Sequence, residues 1–547
     1  MKKIISNKKI SERLIILTLS IIVSTFNVFH LLIGQAKTSI GFAYTATGHY
    51  YLDYFEYLQH IAAGIAGRWI PMNYFTTDPS LADWRFFPYI LIGKIAWIFH
   101  LSPVSAYWIS VFFLTVLTLI GFYHLINLMI PKETFSLKII AFLIAIFSGP
   151  AYQIAVKSGQ IILNPYDFWY GPATFIRRFE VVPYHALGTL LMLFIILVIN
   201  QIWKKIPELS NKVVVLEAFW VGILLMILMT FSPMPIASLF PALLIISAFH
   251  FIKFKNNRIK LFLFNTILLV LILPFGFILK RSAGYDLLTF EVKWIVRDPW
   301  WFILLNLGPI TLFFPFGIKE YLKADNFLRQ ILLFFTLVSF GLFISPAAYY
   351  LNTHNLRFFS SISYVFYGVL TVIGIKNISL LFKNKSKIII LLISSVLIFY
   401  SSFLTFYTLY KRATGLDPTT PETIWTYLPS PIIEGLKLLQ NYPQGNVLTG
   451  PYGGIGMFVP IFSYKRVYVG HPSLILNPNI EKKRSVSYLF YSGTMSEKEA
   501  VKFLKENTIR YIMLTSYDNF DPNIINRYTF LKPIFTKESI IIWRVDK

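Results

Sequence analysis

Twelve long apolar stretches constrain this chain more than any other feature of its sequence. A membrane-spanning helix needs about 20 mostly apolar residues, and a soluble domain seldom contains many segments of that kind. The stretches are 13–34, 86–101, 103–130, 136–156, 184–203, 213–231, 235–252, 260–279, 300–318, 326–346, 358–376 and 387–410. Hydrophobic residues make up 56% of the chain and charged residues only 14%. The sequence therefore predicts a polytopic α-helical membrane protein and excludes a soluble enzyme and a disordered chain.

Charge and cysteine content exclude two further classes. Lys and Arg number 50 against 26 Asp and Glu, which gives a formal net charge of +24. The basic residues lie mostly between apolar stretches rather than in one patch, so nucleic acid is not an expected partner. The chain has no cysteine, which excludes a disulfide scaffold. The basic N-terminus resembles a signal peptide, but the first stretch lacks a small-x-small cleavage site and is expected to be a retained anchor.

The distribution of Lys and Arg predicts an orientation. Cytoplasmic loops collect basic residues, and four short connectors do so, near 204–212, 253–260, 319–329 and 376–387. The N-terminus is then cytoplasmic, and the connectors 157–183, 232–234, 280–299 and 347–357 face outward with everything after 410. This requires an odd number of crossings, so about 11–13 spans are expected. Either 86–101 is a partial span, or 157–183 hides a further crossing.

Two outward segments are too long to be turns, namely 35–85 and 411–547. The second follows the polar linker TGLDPTTPE and contains no apolar stretch of spanning length. We therefore predict a transmembrane domain at 1–410 and an extracytoplasmic soluble domain at 411–547.

Local patterns in the tail predict a small α/β layer. A helix at 432–441, a helix at 481–490 and strands at 446–449, 466–469 and 510–515 fit the periodicities. Ser496 and Glu499 form a capping box before a helix that runs through 506. The glycines at 453, 454 and 456 follow the first strand but lack the spacing of a nucleotide-binding loop, so a tight turn is expected.

The first outward segment carries the most suggestive polar pattern. In GHYYLDYFEYLQHIAAGIAGRW, the residues His49, Asp53, Glu56 and His60 recur at steps of four, three and four. That spacing places all four on one face of a helix. Two carboxylates and two imidazoles would then converge, with Asp53 or Glu56 available as a general base.

Two other interpretations of this face stay open. One is an interfacial helix whose charged groups simply remain in water. The other is a divalent metal site, because His and carboxylate groups recur at i and i+4. No H-E-x-x-H pattern is present, so no metal is assigned.

Other outward loops place cations beside acids and imidazoles. Because a guanidinium group binds phosphate with two parallel hydrogen bonds, these arginines are candidate phosphate ligands. Headgroup anchoring is the alternative for each one. The candidate phosphate ligands are Arg177, Arg178, Arg281 and Arg357, and the candidate lining residues beside them are Asp167, His185 and His354.

The layout resembles the GT-C membrane glycosyltransferases. The chain resembles the protein mannosyltransferase and aminoarabinose transferase type in four features. These are an N-terminal anchor, a first outward loop with an acidic residue in an aromatic helix (LDYFEYLQHIAAGIAGRW), many spans and an outward soluble tail. The tail phrase RVYVGHPSLILNPNIEKKRSVSYLFYSGTMSEKEAVKFLKENTIRYIML resembles the tails of uncharacterised bacterial members. The resemblance covers nearly the whole chain.

The resemblance implies a donor sugar on a polyprenyl phosphate and an acceptor activated by the first-loop acid, a role that falls on Asp53. Two features depart from the family pattern. Tyr54 follows Asp53 where the protein mannosyltransferases have a second acid, which leaves Glu56 as the nearer substitute, and the second span opens with Phe87-Pro88 rather than His-Pro.

These observations together predict a membrane glycosyltransferase that acts, with inversion, on an extracytoplasmic protein, lipid or cell-envelope glycan. Its expected partners are the polyprenyl-phosphate sugar, the membrane lipids and the acceptor, and no cofactor is expected. The alternatives are a transporter or flippase of lipid-linked glycans and a non-catalytic membrane scaffold. A transporter of this kind is expected to show repeated halves, and we find no such repeat in the sequence.

Overall fold

The structure is a computed structural model that describes residues 2–47, 50–157, 159–168, 171–179, 182–253, 257–281, 287–414, 425–473 and 477–546. In chain order its α-helices are α1 Lys2–Ala36, α2 Tyr51–Ile65, α3 Phe87–Ile98, α4 Pro103–Met129, α5 Phe135–Phe147, α6 Phe175–Arg178, α7 Pro183–Lys205, α8 Asn211–Phe231, α9 Met234–Lys253, α10 Arg258–Lys280, α11 Phe302–Leu307, α12 Phe314–Lys323, α13 Phe327–Ile344, α14 Ala347–Tyr350, α15 Ser363–Leu380, α16 Ser386–Ala413, α17 Ser430–Leu438, α18 Val459–Ser463, α19 Ile480–Tyr491, α20 Glu497–Glu506 and α21 Pro522–Ile525.

The strands are β1 Phe42–Tyr44, β2 Tyr152–Lys157, β3 Gln160–Pro165, β4 Tyr427–Pro429, β5 Asn446–Thr449, β6 Ile509–Thr515, β7 Leu531–Lys537 and β8 Ile540–Val545. They form three sheets. Strands β1 and β4 pair antiparallel, as do β2 and β3, and a four-stranded sheet has the order β5-β6-β8-β7.

Ten helices within the described residues are long and apolar enough to cross a membrane. They are Ile10–Ala36, Pro103–Met129, Pro183–Lys205, Asn211–Phe231, Met234–Ile252, Arg258–Lys280, Phe302–Lys323, Phe327–Ile344, Ser363–Leu380 and Ser386–Ala413. They coincide with ten of the twelve apolar stretches, so the chain is a multi-pass helical membrane protein, as predicted.

Two of the twelve apolar stretches do not form helices of spanning length among the described residues. Stretch 86–101 forms the 12-residue helix α3, and stretch 136–156 forms the 13-residue helix α5. At 1.5 Å per residue both are shorter than a hydrocarbon core of about 30 Å. The further crossing considered for 157–183 is also wrong for its described residues, which form strand β3 and the single turn α6.

Residues 152–157 alternate in hydrophobicity with the period of a strand, and they pair with residues 160–165 as a hairpin. The register pairs Tyr152 with Pro165 and Lys157 with Gln160 around Gly159. Gly159 has φ +75°, a conformation that glycine adopts without steric cost. The β-branched residues that made 136–156 look like one apolar stretch therefore belong to two structures, a short helix and a strand.

The tail contains the predicted α/β layer. Strands β5 and β6 are parallel, and β8 pairs antiparallel with β6 and β7. Its core includes Leu448, Phe490, Ile512 and Trp543, each 1% exposed or less. The Ser496 and Glu499 capping box is present at the start of α20. The predicted strand 466–469 is wrong, because that segment forms only an isolated parallel bridge between Val467 and Val447.

The chain divides into two compact units. Unit 1 comprises residues 1–28 and 111–411, and unit 2 comprises residues 29–110 and 412–547. The predicted boundary at 410/411 lies next to this division. The first outward segment, however, packs with the tail in unit 2, where β1 pairs with β4 through Ala43 opposite Leu428.

Candidate active site

Helix α2 in unit 2 carries the predicted acidic face. It begins after Tyr50, whose φ of 55° lies in the left-handed region, and Asp53 occupies its first turn. Negative charge is stabilised at this end of a helix by the aligned peptide dipoles. Asp53, Glu56 and His60 all lie on the helix, as predicted, whereas His49 lies outside the described residues.

Helix α2 packs so closely on α3 that glycines on each helix contact the backbone of the other. A side chain at Gly64 would meet the Ile90 carbonyl oxygen at 2.4 Å, and one at Gly93 would meet that of Ile61 at 2.2 Å. On the same helix the Tyr57 ring stacks on Tyr89 with 4.8 Å between centroids. Only small residues permit this approach, so Gly64 and Gly93 allow α2 to pack directly on α3.

Burial changes the acid–base properties of this face. Burial in the first place, and then the negative charge of Asp53, raises the pKa of Glu56 from 4.5 to about 8. Glu56 is therefore mostly protonated at neutral pH. Burial likewise lowers the pKa of His60 to about 3, so its imidazole is neutral.

His60 is buried at 2% exposure, with its ring stacked 4.5 Å from Phe86. Its Nδ1 atom has no hydrogen-bond partner among the described residues. The interpretation of α2 as a surface helix whose charged groups stay in water is therefore wrong for His60. In the described part of the chain, no three His, Asp or Glu side chains are grouped so as to hold a metal ion.

We expect Glu56→Gln to change the pH dependence of stability. Because the folded state holds a proton on Glu56 that the unfolded state releases above pH 4.5, wild-type stability falls between pH 4.5 and about 8. Gln cannot ionise, so the stability of the variant relative to wild type increases as pH rises, by a few kcal/mol at most. Thermal unfolding in detergent at pH 5 and pH 8 measures the difference, and an equal gain at both pH values contradicts it.

A residue of the tail contacts the start of α2. His471 is 2% exposed, accepts a hydrogen bond from the Ser473 N–H at Nδ1 (3.1 Å) and lies with Nε2 3.2 Å from the Leu52 carbonyl oxygen. Since Nδ1 is the acceptor, Nε2 carries the proton and donates it to Leu52, next to Asp53. No local pattern predicts this contact, because the two residues lie 419 positions apart.

Unit 1 contains the second polar cluster, centred on Arg357. Its guanidinium donates two hydrogen bonds to Glu291, from Nε to Oε2 (2.8 Å) and from Nη2 to Oε1 (2.5 Å). The Glu291 side chain is 2% exposed and also accepts from Thr353 Oγ1 at 2.9 Å. Burial alone would raise the pKa of Glu291, but Arg357 outweighs it and lowers that pKa below the usual value.

Two predicted histidines lie near this ion pair. His354 Nε2 is 4.0 Å from Glu291 Oε2. Burial, reinforced by Arg357, lowers the pKa of His354 to about 4, so the imidazole is neutral at pH 7. His185 lies within electrostatic reach of Arg357. The structure therefore brings two predicted residues, His354 and Arg357, to the unpredicted Glu291.

The adjacent arginines 177 and 178 have different environments. Arg177 is part-exposed and pairs with Asp167 at 2.8 Å. Burial raises the pKa of Asp167 in spite of this partner. Arg178 is 1% exposed, donates to the carbonyl oxygens of Pro172, Ala145, Ile146, Ala173 and Ser148, and covers the Tyr364 ring at 3.3 Å. These contacts do not support the prediction that Arg178 binds phosphate.

Arg178→Lys should therefore destabilise the protein, by about 2–4 kcal/mol, because one ammonium group cannot satisfy five carbonyl oxygens arranged around a planar fork. Arg177→Lys is the matched control, since its ammonium can keep the partly exposed pair with Asp167 at a cost below about 1 kcal/mol. Thermal unfolding of the two variants measures the contrast. Equal shifts would contradict the structural role assigned to Arg178.

Arg281 follows the last turn of α10, where it is exposed and its guanidinium lies 4.2 Å from the Phe277 ring centroid. Sequence reasoning missed Glu291, because only the positively charged Arg281 was a candidate residue in loop 280–299. It also missed Asp83 and Arg85, which form an ion pair whose charges act on Glu56 and His60. A carboxylate in an outward connector rich in Lys and Arg was the available signal for Glu291.

No protein-family model and no curated protein matches the chain. Solved structures do resemble it. The archaeal oligosaccharyltransferase AglB from Archaeoglobus fulgidus, in complex with an inhibitory peptide and a dolichol-phosphate, shares 11% identity at a TM-score of 0.43 and matches 99% of this chain and 74% of its own. ArnT from Cupriavidus metallidurans, bound to undecaprenyl phosphate, shares 9% identity at a TM-score of 0.47, over 95% and 97% of the two chains.

The arabinofuranosyltransferase AftD from Mycobacteria shares 10% identity at a TM-score of 0.46, over 97% of this chain and 40% of that chain. These similar structures are GT-C-fold glycosyltransferases, the family that the sequence resembles. Identities of 9–11% with these TM-scores are too low to transfer the role of any residue to this chain.

Proposed function

We propose that this chain is an inverting membrane glycosyltransferase that uses a polyprenyl-phosphate sugar and an extracytoplasmic acceptor. The observation that carries the proposal is the acidic face of α2. Asp53 and Glu56 lie one turn apart on a helix outside the ten candidate spans, and burial holds Glu56 protonated at neutral pH. A carboxyl group that holds its proton suits a hydrogen-bond donor, and the neighbouring carboxyl group is the candidate base.

Asp53 is assigned the base and Glu56 the donor. In the transfer step, the acceptor oxygen forms a bond to the anomeric carbon while the bond from that carbon to the phosphate oxygen breaks. The acceptor proton passes to Asp53, and the electron pair of the broken bond leaves with the polyprenyl phosphate. Displacement from the face opposite the phosphate inverts the anomeric centre.

The leaving phosphate needs positive charge, and the proposal assigns this role to Arg357, Arg177 and Arg281. Arg178 is omitted because its guanidinium donates to backbone carbonyls. Glu291 acts as a positioning residue, since its two hydrogen bonds fix the plane of the Arg357 guanidinium. Asp167, His185 and His354 are proposed to line the donor-phosphate region with these arginines.

The proposed location is the outer face of the plasma membrane. The alternation of basic connectors supports a cytoplasmic N-terminus and an extracytoplasmic tail. A polyprenyl donor also explains why the protein is embedded in a bilayer, because such a lipid does not leave the membrane.

Guanidinium groups supply the charge in this mechanism, so we expect transfer to persist when divalent ions are chelated. Transfer rates measured with and without excess EDTA test this expectation. Loss of transfer that a divalent ion restores would instead establish a metal site on the acidic face.

The proposed function is tested by supplying membranes with radiolabelled sugars on a panel of polyprenyl phosphates. Membranes that contain the wild-type chain should move label from one donor into endogenous acceptors, and membranes without the chain should not. Equal incorporation in both would contradict the proposal.

A further inference from the structure

The β2–β3 hairpin of unit 1 has two chemically different faces. Successive side chains on a strand point to opposite faces, and residues opposite each other on paired strands share one. The register places Ile154 opposite Leu163 and Val156 opposite Ile161 on an apolar face. The other face is mixed: it carries Gln153 opposite Asn164 near the base and Ala155 opposite Ile162 above that pair.

The apolar face is covered at Leu163 and uncovered at three other aliphatic side chains. Leu163 is 4% exposed, whereas Ile154, Val156 and Ile161 are 65%, 73% and 59% exposed. We call these three residues the hairpin tip. Three large β-branched side chains on one face, beside the exposed Lys157, are an arrangement that water disfavours.

The base of the hairpin is attached to a candidate membrane span. The Tyr152 ring stacks on Tyr400 of α16, with 4.4 Å between centroids. The Tyr152 N–H donates to Tyr400 Oη at 3.1 Å, and Tyr152 Oη donates to the Tyr400 carbonyl oxygen at 3.2 Å. Tyr400 lies near the middle of this 28-residue apolar helix, so the hairpin starts at a depth that belongs to the membrane.

The surface around that attachment is itself apolar and uncovered. Val396 and Phe403 lie one turn to either side of Tyr400 on α16 and are 60% and 43% exposed. The hairpin tip therefore extends an apolar surface that the span already presents to its surroundings. For a span of a multi-pass protein, those surroundings are lipid chains.

We infer that the hairpin tip inserts Ile154, Val156 and Ile161 among the hydrocarbon chains of the bilayer and forms a membrane contact beyond the helical spans. The open edges of a two-stranded hairpin are costly in hydrocarbon. The backbone at the tip therefore stays near the headgroups while the apolar side chains enter the chain region. Lys157 lies beside the tip, where it meets anionic headgroups.

The inference is tested with nitroxide labels on single cysteines. The chain has no native cysteine, so Ile154→Cys, Val156→Cys and Ile161→Cys need no modified background, and Gln153→Cys and Asn164→Cys are controls on the opposite face. Collision rates with oxygen, which partitions into hydrocarbon, and with a water-soluble nickel chelate are measured in phospholipid nanodiscs.

The expected result is a several-fold higher oxygen-to-nickel collision ratio at the three tip positions than at the two controls. Equal ratios on both faces would overturn the inference and place the tip in water. Low collision rates with both reagents would overturn the inference and show that protein covers the tip. If the tip is shielded from nickel only after polyprenyl phosphate is added, the inference is overturned, and the tip instead contacts the donor lipid.

Discussion

Asp53→Asn should abolish sugar transfer, with a loss of at least about 100-fold, while the protein still folds and inserts. The exchange keeps the size and shape of the side chain and removes the group that takes the acceptor proton, a contribution of about 10²–10⁴ in rate. The measurement is the initial rate of label transfer from the polyprenyl-phosphate donor by purified variant and wild type. Matched melting temperatures confirm that folding is unaffected.

Glu56→Gln is the matched control on the same helix. Because burial keeps Glu56 protonated at neutral pH, and Gln likewise donates a hydrogen bond, its rate should stay within about tenfold of wild type. The opposite ranking, with Asp53→Asn active and Glu56→Gln inactive, would assign the base to Glu56. Full activity in both variants would remove α2 from the mechanism.

Arg357→Ala should destabilise the protein by about 3–5 kcal/mol, because it leaves the carboxylate of Glu291 buried and unpaired. It should also raise the apparent KM for the donor, since the phosphate loses a cation. The two effects are separable. Glu291 is 2% exposed, and the loss of stability from its unpaired charge disappears when the side chain is made neutral. Thermal unfolding and donor titration are measured on the same preparations.

The double variant Glu291→Gln/Arg357→Ala provides the separation. Its stability should return to within about 1 kcal/mol of wild type, because no buried charge is left unpaired. Its donor KM should stay as high as that of Arg357→Ala, with the acceptor KM little changed. Recovery of the donor KM together with stability would show that Arg357 is structural and does not bind phosphate.

The sequence predicted the spans well because each depends on a local quantity, the length of an apolar stretch. One error arose where apolar residues alternate instead of forming one run. Residues 152–156 were assigned to a span, but Ile154 and Val156 lie on one face of a strand. The strand predicted at 466–469 was wrong for a different reason: its pairing with β5 is limited to the bridge at Val447, whose carbonyl oxygen accepts from the Tyr468 N–H.

The candidate site was predictable only in part. Spacing placed Asp53, Glu56 and His60 on one helical face, which the structure confirms. Spacing does not report burial, and burial decides that Glu56 holds a proton and that His60 is neutral. The Arg357 and Glu291 pair joins residues 66 positions apart, a contact that depends on how helices and connectors pack and leaves no local pattern.

The most direct test of the central claim uses purified wild-type protein in liposomes with a radiolabelled sugar on polyprenyl phosphate and a soluble acceptor pool. The account predicts that label leaves the lipid, that an equal amount of polyprenyl phosphate is released, and that the product has the inverted anomeric configuration. Label that stays on the lipid while the lipid moves between leaflets would contradict the account and establish a flippase instead.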